Sequence, residues 1–168
     1  FYNLRAGGLE AIPIVGLLSF MMGVVIAYQA AVGLRPYGAS VFIVEFVGIA
    51  MLREIVPLIT AIIVAGRSGS AYTAQIGTMT VTEEVNALRT MGIGPFELLI
   101  APKVLALVVA LPLLTAFADV TGVFGGMVIA STQLDVSFNA FLDRFTSVIS
   151  PTNYLIGVGK APVFAVII

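Results

Sequence analysis

The sequence has no cysteine and no histidine, and it carries little charge. Without cysteine it offers no disulfide, no thiolate metal site and no cysteine nucleophile. Without histidine it offers no Ser–His–Asp triad, no imidazole metal ligand and no imidazole proton shuttle. Its 8 basic and 9 acidic residues give a formal net charge of −1, and they form no basic tract. Nucleic-acid binding needs such a tract, so that class of partner is excluded.

Apolar residues are abundant instead. They make up 60% of the 168 residues, and only 10% of the chain is charged, whereas soluble domains are about 25% charged. The mean hydropathy is +1.11. So few charged side chains cannot cover the exterior of a water-soluble globule of this size. The composition therefore predicts a membrane protein.

Four long apolar segments predict membrane-spanning helices. The first contains 24 uncharged residues from Ala11 to Leu34. At 1.5 Å per residue this is about 36 Å of helix, enough to cross a hydrocarbon core of about 30 Å. The runs do not alternate as barrel strands would. We predict an all-α, multi-pass transmembrane helical bundle with four visible spans, at about 11–33, 42–66, 104–131 and 154–168 and beyond.

Basic residues in the connections indicate an orientation, because cytoplasmic loops carry an excess of lysine and arginine. Four lie before the first span or between the second and third, and two lie on the opposite side. This favours a cytoplasmic start and a cytoplasmic 67–103 connection. The first group is Arg5, Arg67, Arg89 and Lys103, and the second is Arg35 and Arg144.

Two short amphipathic helices are predicted between the spans, at about 81–91 and 137–149. Thr80 and Glu83 fit a capping box at the start of the first, and Gly92 is placed to end it. That helix is either a surface helix lying on the bilayer or a rigid peg that docks into a groove of a soluble partner. The second is rich in phenylalanine, which is typical of a helix lying in the membrane interface.

Arg53, Glu54 and Lys160 are charges inside predicted spans. Each charge near a bilayer centre costs about 2.5–3.5 kcal/mol on insertion scales, so it normally finds a partner or water. Adjacent helical residues point about 100° apart, so we expect Lys160, not Arg53, to neutralise Glu54. Pro57 has no N–H and leaves the Arg53 carbonyl without its helical donor. The group is either a buried ion pair that holds helices in register or a polar spot in a substrate pathway.

Small residues recur at intervals of four along the first span, and two glycines do so in the third. Small side chains let helices approach closely in lipid. The stripe indicates either packing within one subunit, which we favour, or a seam between subunits. The residues are Ser19, Gly23, Ala27 and Ala31 in the first span and Gly122 and Gly126 in the third.

The central stretch LREIVPLITAIIVAGRSGSAYTAQIGTMTVTEEVNALRTMGIGPFELLIAPKVLA, residues 52–106, resembles the MlaE family of lipid-transport ABC permeases. The stretches LPLLTAFADVTGVFGG at 111–126 and GKAPVF at 159–164 extend the resemblance. The similarity implies that residues 1–168 form a single transmembrane permease domain truncated at both ends. Most of an N-terminal interfacial helix and the last one and a half of about five spans would be absent.

The resemblance also implies a function and partners. Members of this family form a homodimeric core in the bacterial inner membrane. That core works with a cytoplasmic ATPase dimer, which holds ATP and Mg, and with a periplasmic ring of MCE-domain subunits. It moves phospholipid between the inner and outer membranes and so maintains outer-membrane lipid asymmetry. The chain itself would then have no catalytic residue, no metal and no cofactor.

Residue roles carry over by the same similarity. The 81–91 helix matches the coupling helix that inserts into the ATPase, with Glu83, Glu84, Leu88 and Arg89 as its contact residues. Arg53, Glu54 and Lys160 match charged positions near the lipid cavity.

Two other functions remain as alternatives. An ion- or proton-coupled secondary carrier could use Glu54 as its coupling group, although such carriers often show inverted repeats and none is visible in this sequence. A membrane enzyme is weaker still, because no convergent set of Asp, Glu, Lys, Ser or Tyr side chains is apparent. Dependence of transport on ATP or on an ion gradient separates the first alternative from the permease.

Overall fold

The computed structural model describes residues 11–38, 42–92, 94, 99–133 and 136–168. Within these ranges the chain is all α-helical, as predicted, and no strand is present. Arg5 and the rest of residues 1–10 lie outside the described residues. The helices are α1 Ile12–Leu34, α2 Ile43–Val81, α3 Glu84–Thr90, α4 Ala101–Gln133, α5 Phe138–Val148 and α6 Pro151–Ile167.

Three of these helices are long and apolar enough to cross a membrane. They are α1 with 23 residues, α2 with 39 and α4 with 33. Helix α6 has 17 residues, or about 26 Å at 1.5 Å per residue, which is slightly less than the hydrocarbon core of about 30 Å. The chain is therefore a multi-pass membrane protein with three clear spans, and the fourth span remains a prediction.

Helix α2 extends well beyond the predicted span of 42–66. It continues to Val81 and contains two π-helical turns, at Met51–Ile55 and Ala65–Gly69. The polar residues after the apolar core do not end it, and their hydroxyls donate to carbonyls one turn back in the same helix. Ser70 Oγ donates to the Gly66 carbonyl at 2.7 Å, and other hydroxyls of this segment do the same. These hydroxyls thus find their hydrogen-bond partners within the helix and do not cap or interrupt it.

The predicted capping box at Thr80 and Glu83 is wrong. Thr80 still lies in α2, where its hydroxyl donates to the Ile76 carbonyl at 2.8 Å and is therefore not a cap. Glu83 adopts a positive φ of 61° in the turn between the two helices. Helix α3 consequently begins at Glu84, and Val81, predicted to lie in the amphipathic helix, belongs to α2.

The stripe of small residues packs α1 against α4. Ser19, Gly23, Ala27 and Ala31 are all buried. A methyl group on Gly23 would collide with the backbone carbonyl of Gly122, so only glycine allows the two backbones to come this close. The small residues thus bring two spans of one subunit into close contact. This is the interpretation of the stripe that we favoured, packing within one subunit.

Helices α5 and α6 follow α4 and are capped by serines. Ser137 accepts a hydrogen bond from the Ala140 N–H, and Ser150 accepts one from the Thr152 N–H. Helix α5 covers almost the range predicted for the interfacial helix. It is fixed to α2 by an ion pair of 3.0 Å between Arg144 Nη2 and Glu45 Oε1, and the ring of Phe141 is buried.

Candidate functional site

The structure brings the three predicted charges of the spans together where α6 crosses α2. Lys160 Nζ donates to Glu54 Oε2 at 2.8 Å and to the backbone carbonyl of Arg53 at 3.0 Å. The expected pairing of Glu54 with Lys160 is thus confirmed. The Arg53 carbonyl is the one that Pro57 deprives of its helical donor, so the lysine replaces a missing backbone hydrogen bond.

Glycine makes this crossing possible. A methyl group on Gly157 would collide with the backbone carbonyl of Leu52, so α6 lies directly against the α2 backbone there. Residues three apart on a helix lie on the same face, which places Lys160 over the next carbonyl, that of Arg53. The close approach at Gly157 therefore sets the position of the Lys160 ammonium group.

Arg53 and Glu54 also contact each other, which corrects the expectation that they would not. Arg53 Nε lies 3.4 Å from Glu54 Oε1. Both residues belong to the π-helical turn Met51–Ile55, which is wider than an α-helical turn and changes the angle between neighbouring side chains. Glu54 therefore lies between two cations, and the cluster of Arg53, Glu54 and Lys160 carries a net charge of +1.

The cluster is accessible in the described part of the chain. The side chains of Arg53, Glu54 and Lys160 are 48%, 62% and 36% exposed. Glu54 lies about 17 Å along α2 from Ile43, and Lys160 lies about 14 Å along α6 from Pro151, at 1.5 Å per residue. The charges thus lie well inside apolar helices and yet are not sealed by helix contacts. An ammonium group has three donors, and Lys160 uses two of them, which leaves one for a ligand.

An apolar cavity of about 600 Å³ lies between α4, α5 and the start of α6. Leu52, the neighbour of Arg53, contributes to its wall, together with side chains such as Val123, Phe124 and Phe145. Cavities of this size and composition are typical of sites for small apolar ligands. Through Leu52 the cavity borders on the helix that carries Arg53 and Glu54.

Asp119 lines the same cavity and is not among the site residues predicted from the sequence. It is 2% exposed, and neither carboxyl oxygen has a hydrogen-bond partner among the described residues. The available signal was a single charge within an apolar span, which is costly and commonly functional.

The predicted coupling residues lie on the connection between α2 and α4. Glu83 and Glu84 are exposed, Leu88 is half-buried, and Arg89 lies in α3, although its side chain is outside the described residues. Both acidic residues are therefore accessible to a partner, and Glu84 Oε1 accepts a hydrogen bond from Thr82 Oγ1 at 3.2 Å.

Comparisons with known proteins show the family of the chain. The family model for the permease MlaE matches residues 1–168. The chain is 35% identical over 161 residues to a "Probable ABC transporter permease protein" of Rickettsia prowazekii, covering 96% of this chain and 62% of the relative. It is 32% identical over 160 residues to the "Intermembrane phospholipid transport system permease protein MlaE" of Haemophilus influenzae, covering 95% and 61%.

A plant protein is similar as well. The chloroplastic protein TRIGALACTOSYLDIACYLGLYCEROL 1 of Arabidopsis thaliana is 32% identical over 166 residues, which is 99% of this chain and 47% of that protein. The chain thus spans about three fifths of the length of the bacterial relatives and about half of the plant one. Since the family model covers every residue, the chain belongs to the MlaE permease family.

Proposed function

We propose that the chain is the permease subunit of an ATP-driven ABC transporter that moves phospholipids between the inner and outer membranes and maintains outer-membrane lipid asymmetry. It acts in the bacterial inner membrane, as a homodimer with a cytoplasmic ATPase dimer and a periplasmic ring of MCE-domain subunits. The observation that carries the proposal is the accessible, net positive cluster of Arg53, Glu54 and Lys160 inside apolar helices. The family membership supports the same function.

The cluster binds the lipid head group. A phospholipid presents a phosphate anion, and charge-assisted hydrogen bonds from ammonium and guanidinium groups bind phosphate strongly. Lys160 offers its free donor and Arg53 its guanidinium, while Glu54 holds the Lys160 side chain in place. The apolar residues of α2, α4 and α6 accommodate the acyl chains.

Helix α3 transmits the movement of the ATPase to the membrane spans. ATP and Mg are held by the partner, and the carboxylates of Glu83 and Glu84 dock into its groove together with Leu88 and Arg89. Because α3 connects α2 to α4, movement of the docked helix tilts both spans. Replacing Glu83, Glu84 and Arg89 together should lower ATP-driven lipid transport. Unchanged transport and ATPase activity in that variant would contradict the docking assignment.

The assembled complex of the full-length protein, reconstituted in liposomes with a labelled phospholipid, tests the proposal. We expect transport that requires ATP and that falls at least several-fold in Glu54→Ala and Lys160→Ala, with less lipid co-purifying. Asp143→Asn is the control, since Asp143 is an exposed acidic residue of α5. Transport that does not require ATP and is abolished by an uncoupler would instead identify a secondary carrier that uses Glu54. Normal transport and lipid content in both alanine variants would show that the pair is only structural.

A further inference from the structure

Lys103 is a buried cation near the start of α4. It is 7% exposed, and its Nζ donates to Gln75 Oε1 of α2 at 2.8 Å. The same nitrogen lies 4.7 Å from the centroid of the Tyr72 ring, also in α2, in a cation–π contact. One ammonium group of α4 is thus bound from two positions, 72 and 75, on one face of α2.

This arrangement is costly for a lysine. Burying an ammonium group requires compensation by hydrogen bonds or a counter-ion, and none of the carboxylates in the described ranges forms an ion pair with Lys103. The residue therefore depends on Gln75 and Tyr72 for its stabilisation.

Among the described residues, α2 has little other packing around this contact. None of the residues in Ser70–Val81 is buried, and within this segment Tyr72 packs against the buried core. The segment leads directly into α3, while Lys103 lies just after the connection that brings the chain back into α4. The Lys103 contact therefore joins the two helices that flank α3.

We propose that Lys103 is a positioning residue that couples α2 to α4, so that a displacement of α3 moves both spans as one unit. The contact of Lys103 with Gln75 and Tyr72 transmits the movement, since a rigid connection passes on a displacement that a loose one would absorb. This inference rests on the proposed function, because it assigns a mechanical role in ATP-driven transport. The low exposure of Lys103 argues against a direct contact with lipid head groups.

Two measurements on the assembled complex test this role. The first is the amount of lipid transported per ATP hydrolysed. Lys103→Met keeps the apolar stem and removes the donor and the charge, and we expect this ratio to fall at least five-fold while ATP hydrolysis stays within two-fold. Gln75→Leu removes the acceptor of the same hydrogen bond and should lower the transport-to-hydrolysis ratio to a similar extent. Gln75→Glu keeps an acceptor and supplies a counter-ion, so its ratio should remain close to that of the unmodified protein.

The second measurement is amide hydrogen exchange, which does not depend on transport. We expect exchange over residues 70–81 to be at least several-fold faster in Lys103→Met and unchanged in Gln75→Glu. An unaltered exchange rate and an unaltered ratio in Lys103→Met would overturn the inference, as would a parallel loss of ATP hydrolysis and transport. If the unmodified complex shows no ATP-driven transport, the proposed function is wrong, and the coupling role of Lys103 is wrong with it. Faster exchange in Lys103→Met would then show only that the contact exists.

Discussion

The close contact between α6 and α2 makes Gly157→Ala an informative substitution. The added methyl group would collide with the carbonyl oxygen of Leu52, and a backbone oxygen cannot move as the end of a side chain can. Helix α6 must therefore shift away from α2. Overpacking of this kind costs about 1–3 kcal/mol. A shift of about 1 Å would also lengthen the contacts of Lys160, now 2.8 and 3.0 Å, beyond hydrogen-bond range.

Gly159→Ala is the matched control. Gly159 lies on the same helix, two residues away, and an added methyl group there meets nothing within 4 Å. Alanine favours a helix over glycine by about 0.5–1 kcal/mol, so this variant should be as stable as the unmodified protein or slightly more stable. The two substitutions make the same chemical change and differ only in what the methyl group meets.

Thermal unfolding of the full-length protein in detergent, together with the amount of co-purified phospholipid, measures both effects. We expect Gly157→Ala to melt several degrees lower than Gly159→Ala, since 1 kcal/mol corresponds to about 2–4 °C for chains of 150–250 residues. Phospholipid content should fall in Gly157→Ala alone. If the two variants have equal melting temperatures and equal lipid content, the reasoning that Gly157 positions Lys160 is refuted.

Two further predictions concern the packing of the bundle. Gly23→Ala should lower the melting temperature by several degrees, because the added methyl group would collide with the Gly122 carbonyl. Gly33→Ala is the control, since a methyl group there meets nothing within 4 Å and should not lower the melting temperature. Equal melting temperatures of the two variants would show that α1 and α4 do not approach as closely as described. Asp119→Leu should raise the melting temperature, because a buried polar group without a partner costs about 1–3 kcal/mol of stability. The cavity that Asp119 lines has room for the larger leucine side chain. A clear loss of stability would mean that the carboxyl group has a partner in the assembled protein.

The fold class and the charged cluster could be predicted because each follows from a strong local constraint. Apolar runs of this length predict spanning helices. A charge at membrane depth requires a partner, which identified Lys160 for Glu54. Pro57 predicted a free carbonyl at Arg53, although not that Lys160 would bind it, because that contact depends on how α6 crosses α2.

Other features depended on choices that the sequence leaves open. Thr80 fits a cap, but its hydroxyl bonds to the Ile76 carbonyl instead, because α2 continues further than its apolar pattern indicates. The π-helical turn at Met51–Ile55 has no clear sequence signature, and it allows Arg53 and Glu54 to meet. Lys103 looked like one more basic residue of a cytoplasmic connection, since its contact with Gln75 requires two helices to be placed correctly.

The most direct test of the account is an experimental structure of the full-length protein in its assembled complex with bound phospholipid. We expect density for a phosphate group within hydrogen-bond distance of Lys160 Nζ and near the Arg53 guanidinium, with acyl chains against the apolar residues around them. A map in which Arg53, Glu54 and Lys160 are enclosed by dry helix contacts, with the lipid bound elsewhere, would contradict it.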